Sequence, residues 1–346
     1  MPVATQPGET DLLIPLPGAE QVDPYTVHTH YFGFTVPEAR IGAFIYARYQ
    51  PAFPLSQGGV GIFRGLDNLA LLDAEHHDYR ATMPWPQTGD GAIRFVNGLV
   101  IEALEPGELL RVSYRSPDGA TWFEVEQRAI TPLLARGYIV PGEEDHHAAG
   151  DAQPGGIEQF LQATGELVLR GERFEVDCLA VRDRSWNQVR VELPGGARPH
   201  PPIGWTPIAF GPELALNTAG FEAPDSDPAW RGLFDVPDDA PTHYESWISR
   251  DGEVQRITEV RREVLEYHPY LHAAVRQTLE VVDESGERLR FDGEAIAMAP
   301  MHSWPNIAFC DSVYRWTAED GRQTHCTYQE IWHDTYQRAM KARRSR

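Results

Sequence analysis

Lysine is almost missing: it occurs once, at Lys341, in the closing stretch KARRSR. Schiff-base, pyridoxal and phosphate-loop chemistry all need an internal lysine, so those classes fall away. The basic tail reads as a frayed end rather than a binding patch. Cysteine is scarce too, with Cys178, Cys310 and Cys326 scattered and no C-x-x-C pair. An odd, sparse set, with no apolar signal-type stretch at the start, is what a reduced cytoplasmic protein carries. No run approaches the length of a membrane span, so a hydrophobic substrate would be handled in a soluble pocket. Positive charge is short overall. The formal net charge of −21 would repel a phosphate backbone or an anionic membrane surface. The expected partner is a small hydrophobic substrate, not nucleic acid, and a homodimer is allowed.

Catalytic signatures are also lacking. The chain has no G-x-S-x-G elbow, no G-x-G-x-x-G after a strand, no phosphate loop and no H-E-x-x-H. His28 and His30 have the i, i+2 spacing that can chelate, but no Cys/His cluster supplies the further ligands a catalytic zinc would need. The adjacent pairs His76-His77 and His146-His147 read as solvated loop residues. No metal and no cofactor is expected.

What the chain has in quantity is β-pattern. Its 346 residues, 42% hydrophobic and 10% aromatic, suit two β-domains better than one core. After an irregular Pro- and Gly-rich stretch over 1–22, period-two alternation predicts strands at 26–36, 40–49, 59–63, 92–103, 109–115 and 121–130. The glycines of 58–65 have the wrong spacing for a phosphate cradle and mark a bulged or bent strand. Later strands are predicted at 207–216, 243–249, 254–264, 271–282, 289–298, 307–317 and 324–333. Asp251-Gly252, Ser285-Gly286 and Asp320-Gly321 make tight turns between neighbours. Only 334–341 looks helical. Residues 141–156 form a long surface loop, and 193–202 has the composition of a linker. The reading is all-β: two antiparallel barrel or sandwich domains, 1–198 and 199–346, with a short C-terminal helix.

The stretch 158–190 organises the rest. It reads as a run to Ala163, a Thr164-Gly165 turn into 166–170, and a Gly171-Glu172 turn into a longer strand. There Leu179, Val181 and Asp183 share one face, and Cys178, Ala180 and Arg182 the other, so a carboxylate ends an apolar face. The run Asp183-Arg184-Ser185-Trp186 resembles the Asp-(His/Arg)-Ser-Trp-Gly signature of the lipocalin-like superfamily. That group holds carotenoid 1,2-hydratases, kievitone-hydratase-like and AttH-like proteins and lipocalin-type Diels-Alderases. Asn187 stands in place of the signature glycine and Arg184 in place of the hydratases' histidine, so no catalytic histidine is carried over here. The resemblance implies lipocalin-like domains, one of them a barrel enclosing a ligand cavity near the domain junction or in the C-terminal half. His302-Ser303-Trp304 and Tyr328-Gln329-Glu330 look similar to the His-x-Trp and Tyr-x-Asp pairs of the carotenoid hydratases, with Glu in place of Asp.

The chemistry that fits is cofactor-independent: a lyase or isomerase, hydratase or dehydratase, moving protons on a terpenoid, steroid or polyketide-like skeleton. Glu330 sits between Tyr328 and Trp332 on a face suited to burial, where desolvation would raise its pKa and make it a general acid. The competing reading is a structural carboxylate paired with an arginine. Asp183 is the other candidate acid, or else a turn cap with Trp186 as a packed plug. Arg184 and Arg190 read as salt-bridge partners. His302 or His30 would orient water, and Trp186, Trp304, Tyr31, Phe32, Trp332 and Trp205 would wall the substrate. A pericyclase or cyclase, and a non-catalytic carrier of hydrophobic ligands, remain as alternatives.

Overall fold

The computed structural model describes residues 3–4, 23–136, 155–189, 202–223, 225, 242–244, 246–303 and 307–333, with 337, 341 and 342 near the end. It is a β-structure in two sheets whose named strands all pair antiparallel. The first is built from β1 (Val3–Ala4), β2 (Thr26–Val36), β3 (Ile41–Gln50), β4 (Leu55–Arg64), β5 (His76–Pro84), β6 (Gln87–Gly89) and β7 (Ala92–Arg94). It continues with β8 (Val100–Glu105), β9 (Leu109–Arg115), β10 (Trp122–Ala129), β11 (Leu134–Arg136), β12 (Gly155–Leu169) and β13 (Glu172–Val189). Its spatial order is β5-β4-β3-β2-β13-β12-β10-β9-β8-β7-β6, with β11 on β12 and β1 on β11. The second is a closed barrel of β14 (Ile203–Gly211), β15 (Leu214–Phe221), β16 (Trp247–Arg250), β17 (Glu253–Tyr267), β18 (Ala274–Asp283), β19 (Arg288–Met301), β20 (Ile307–Ala318) and β21 (Gln323–His333), shut by the β14–β21 pairing.

Alternation decides what each strand touches. On β2, Phe32, Phe34 and Val36 enter a core internal to the first sheet with Ile45, Tyr49 and Ala180. Tyr31, one step out of phase, enters a second core with Phe44, Phe160, Trp205, Trp247, Phe309 and Val313, which joins the first sheet to the barrel. The barrel's own interior holds Tyr314, Trp316, Tyr328, Cys310 and Cys326. The three cysteines are buried and unbridged. No helix among the described residues is long and apolar enough to cross a membrane.

The structure revises several expectations. There is no turn at Thr164-Gly165: β12 runs unbroken through it. Gly165 is there because β10 crosses too closely for a side chain, an added Cβ falling 2.1 Å from the Glu124 carbonyl oxygen. The strand predicted at 207–216 is two strands, β14 and β15, joined around Pro212 and Glu213. His76 and His77 lie in β5 rather than a loop. Residues 193–201, most of the 141–156 loop, His146-His147 and Arg190 lie outside the described residues. So does most of 334–341, of which Gln337 and Lys341 are helical. The glycine cluster is as expected: Gly58 and Gly59 have φ of 120° and 135° beside a register shift against β5.

Candidate functional site between the sheets

The β12–β13 hairpin turns at Arg170 and Gly171 and pairs the two strands from Leu169↔Glu172 to Gly155↔Trp186. That register sets Asp183 opposite Glu158 on one side and Tyr31 on the other, all on the face toward the barrel. Past Ser185 the strand bulges, and Asn187 takes φ 54°. Glycine fits such a left-handed position, and asparagine is among the few other residues that do, so Asn at the signature glycine keeps the same backbone. Trp186 lies over Gly155, where a Cβ would meet its ring at 2.6 Å, and Arg184 stacks on its outer side at 5.4 Å.

Glu158, 1% exposed, ties the sheets together. Trp205 Nε1 donates to its Oε1 at 3.1 Å, Trp247 Nε1 to its Oε2 at 3.0 Å, and the Asn217 amide also donates to Oε2. Further along the same contact, Asp311 of β20 is buried against β2. Gln329 Nε2 and Thr327 Oγ1 both donate to Asp311 Oδ1, at 3.0 and 3.3 Å, and Tyr31 O–H reaches Thr327 Oγ1 at 3.0 Å. Both donors use one oxygen, which leaves Oδ2 to carry an acid proton. Burial outweighs these hydrogen bonds and pushes the Asp311 carboxyl up to about 8. Burial foremost, then the Asp311 carboxyl, holds the Tyr31 phenol well above 10. Asp311, Tyr31 and Thr327 line a hollow of about 10 Å³ together with Gly33, Leu179 and Val313, which is room for one water. Rings bound this region: Tyr31 meets Phe44 and Trp205 at 5.5 Å each, and Phe44 meets Phe309 at 5.6 Å. At the far end of the interface, buried Arg48 Nη1 donates to the Ser303 carbonyl at 3.5 Å.

The residues singled out in the sequence are dispersed. Tyr31, Trp205 and Asp183 come together at this contact. Glu330, Tyr328 and Trp332 lie inside the barrel, and His30 and Phe32 on the opposite face of β2. Trp186 is half-buried and His302 exposed. Trp304 lies outside the described residues. Glu330 has a full set of partners: Ala274 N–H at 2.7 Å, Trp332 Nε1 at 2.7 Å, Tyr328 O–H at 3.1 Å and the Arg262 guanidinium at 3.9 Å. Arg262, fully buried, also donates to the Tyr328 oxygen, Gln277 and the Pro202 carbonyl. This is the arginine-paired alternative of the sequence reading, in an interior filled by rings. Asp311 and Glu158 were missed. The signal for Asp311 was legible: it interrupts the apolar face of Phe309 and Val313 as Asp183 interrupts its own. A groove of about 420 Å³ outside the barrel is lined by alternating charges such as Glu263, Arg276, Arg290 and Arg315, and is a solvated surface. No group of three or more potential metal ligands forms among the described residues.

With this geometry the chain can be compared with known proteins. It belongs to the family described as Domain of unknown function (DUF7064), whose model matches residues 18–334. No curated protein matches the chain. Among solved structures it is similar to a putative AttH from Nitrosomonas europaea, at 14% identity and a TM-score of 0.55, over 90% of this chain and 93% of that one. It is also similar to kievitone hydratase from Nectria haematococca, at 13% identity and a TM-score of 0.48, over 97% and 98%. A third likeness is to CghA, at 13% and 0.47, over 96% and 94%. The DUF7064 chain thus has the fold of an AttH-like protein, as the signature strand led one to expect. At such low identity the likeness concerns fold and not chemistry.

Proposed function

We propose that this protein is an acid–base lyase or isomerase of the hydratase or dehydratase class, acting on a hydrophobic terpenoid, steroid or polyketide-like molecule between the two sheets, without a cofactor. The observation that carries the reading is Asp311: a carboxyl raised to about 8 by burial, beside a water-sized hollow and a wall of rings. Hydrating an alkene, or its reverse, needs a protonated acid, one positioned water and π-faces beside the developing cation. Asp311 Oδ2–H is the donor in this scheme. Thr327 and Tyr31 form a hydrogen-bonded chain to Oδ1 that steadies the carboxylate left behind, and Phe44, Trp205 and Phe309 face the substrate. Asp183, opposite Tyr31, is the remaining carboxyl of the original pair at this contact. Glu330 takes a structural role. A substrate larger than water requires the sheets to part along this contact, which is consistent with a division near residue 198 into two units.

The test is a panel of hydrophobic alkenes and alcohols, followed by mass spectrometry for gain or loss of one water. Asp311→Asn should lower turnover by about 10²–10⁴-fold, the usual worth of a positioned general acid, while ligand affinity stays within a few-fold. Turnover with intact Asp311 should fall as pH rises through about 8. Unchanged turnover in Asp311→Asn sinks the acid mechanism in favour of a cyclase, and binding with no turnover at all indicates a carrier.

A further inference from the structure

Tyr31, Gly33 and Thr35 alternate on β2 and so present one face to the barrel. All three line the water-sized hollow together with Asp311 and Thr327. The Tyr31 phenol lies back over Gly33, where an added Cβ would fall 2.4 Å from its oxygen, so glycine at that position lets the hydroxyl reach along the strand toward Thr35. Thr35 is 4% exposed, and its enclosed hydroxyl has no hydrogen-bond partner among the described residues. The Cys178 thiol lies nearby, but it already accepts the Thr35 backbone N–H at 3.3 Å, and sulfur is a weak partner for a hydroxyl. A buried hydroxyl in that position is costly unless a water completes it.

The other polar groups of the hollow have capacity left for the same water. Thr327 gives its one hydroxyl proton to Asp311 Oδ1, so the Tyr31 O–H donates to Thr327 and the phenol oxygen keeps a lone pair. Gln329 also donates to Oδ1, which leaves Oδ2 able to accept. A water in the hollow can therefore take the Thr35 O–H on its oxygen and give its own two protons to Tyr31 Oη and Asp311 Oδ2. Three hydrogen bonds are the usual complement of a buried water. Its second lone pair stays open.

Resting on the reading of Asp311 as the acid, we infer that Thr35 is a positioning residue that holds the reacting water in this hollow, so that hydrogen and hydroxyl are added to the same face of the alkene. The Asp311 Oδ2–H bond breaks and the alkene π pair takes the proton, which leaves the neighbouring carbon cationic. The open lone pair of the water then forms the C–O bond to that carbon, and the O–H proton directed at Oδ2 passes to it and restores the acid. Alkene and water are the only reactants consumed. Acid and water share one hollow, so both additions come from one side of the substrate, and dehydration retraces the same path.

The test has a structural arm and a kinetic arm, both on the full chain. Crystal structures should show one ordered water at Thr35 in wild type and in Thr35→Ser, and none in Thr35→Val, which swaps the hydroxyl for a methyl of the same size. In deuterated water, a cyclic alkene from the panel should gain deuterium and hydroxyl on the same face, read from the relative configuration of the product. Thr35→Val should lower hydration roughly tenfold, the scale of one lost hydrogen bond, relative to deuterium exchange into recovered alkene, with KM little changed and Thr35→Ser restoring the ratio. Asp311→Asn should suppress exchange and hydration alike. A wild-type hollow without water, a water that persists in Thr35→Val, an unchanged ratio in that variant, or addition to opposite faces overturns the role of Thr35 while leaving Asp311 as the acid. A wild type that neither hydrates nor exchanges overturns the acid mechanism itself, and with it any reacting water. Should Thr35→Val fail to fold, the wild-type crystal and the configuration of the product decide.

Discussion

Glu330 and Asp311 are carboxyls on adjacent strands, diagonal to one another across the Cys310↔Glu330 and Asp311↔Gln329 pairs, yet on opposite faces of the barrel wall. Glu330 points inward, where a guanidinium and three hydrogen-bond donors compensate its charge. Asp311 points outward into the contact with the first sheet, where two neutral donors share one oxygen and, among the described residues, no salt bridge forms. A buried charge with a paired cation is a fixture whose removal is expensive. A buried acid with only neutral partners keeps its proton, and a kept proton can be given away. The two environments separate a charge-compensated acid from a proton-retaining one within a single hairpin.

The largest expected effect breaks the first half of that comparison. Arg262→Met should cost about 3–5 kcal/mol, because it leaves the Glu330 charge buried and uncompensated. Chemical denaturation should show Arg262→Met/Glu330→Gln to be more stable than Arg262→Met alone, and equal stability would mean the pair is not coupled. The next effect concerns Asp311 and depends on pH. Its folded value of about 8 lies above the ~3.9 of an unfolded aspartate. The native state therefore holds a proton that the unfolded chain has lost between those limits. Stability from this group is fully present below about pH 4 and is lost as pH rises through about 8. Thermal melts should show Asp311→Asn close to wild type at pH 4 and more stable than it at pH 8; parallel melting curves across that range would refute the assignment. The smallest effect is at Tyr31→Phe, which removes one hydrogen bond of about 0.5–1.5 kcal/mol. Because that bond supports the Asp311 carboxylate through Thr327, the midpoint of the pH effect should move upward. A midpoint that stays put would mean the three groups do not act as a chain.

Much of the architecture was legible in the chain. The extent of β2, the two faces of β13 and the turns at Asp251-Gly252, Ser285-Gly286 and Asp320-Gly321 follow from period-two alternation and from residues that tolerate positive φ. Where the reading failed, it took a local signal for a local cause. Gly165 looked like a turn residue, but its smallness answers to β10, a neighbour far along the sequence. The break between β14 and β15 was missed because apolar residues flank Pro212 closely on both sides. Among candidate site residues, Tyr31, Trp205 and Asp183 belong to one contact, whereas Glu330 and Tyr328 were grouped with them through the likeness to the Tyr-x-Asp pair and a face suited to burial, neither of which says which side of the barrel wall that face takes.

Alternation within a strand depends on backbone geometry alone, so the sequence by itself determined that Glu330 shares a face with Tyr328 and Trp332, and that Asp311 shares one with Phe309 and Val313. Which of those faces looks into the barrel and which against the first sheet depends on how the strands close and on what packs outside them. Only the tertiary structure decided that Glu330 would meet Arg262 and that Asp311 would meet Tyr31, because those partners arrive from strands 68 and 280 residues away along the chain.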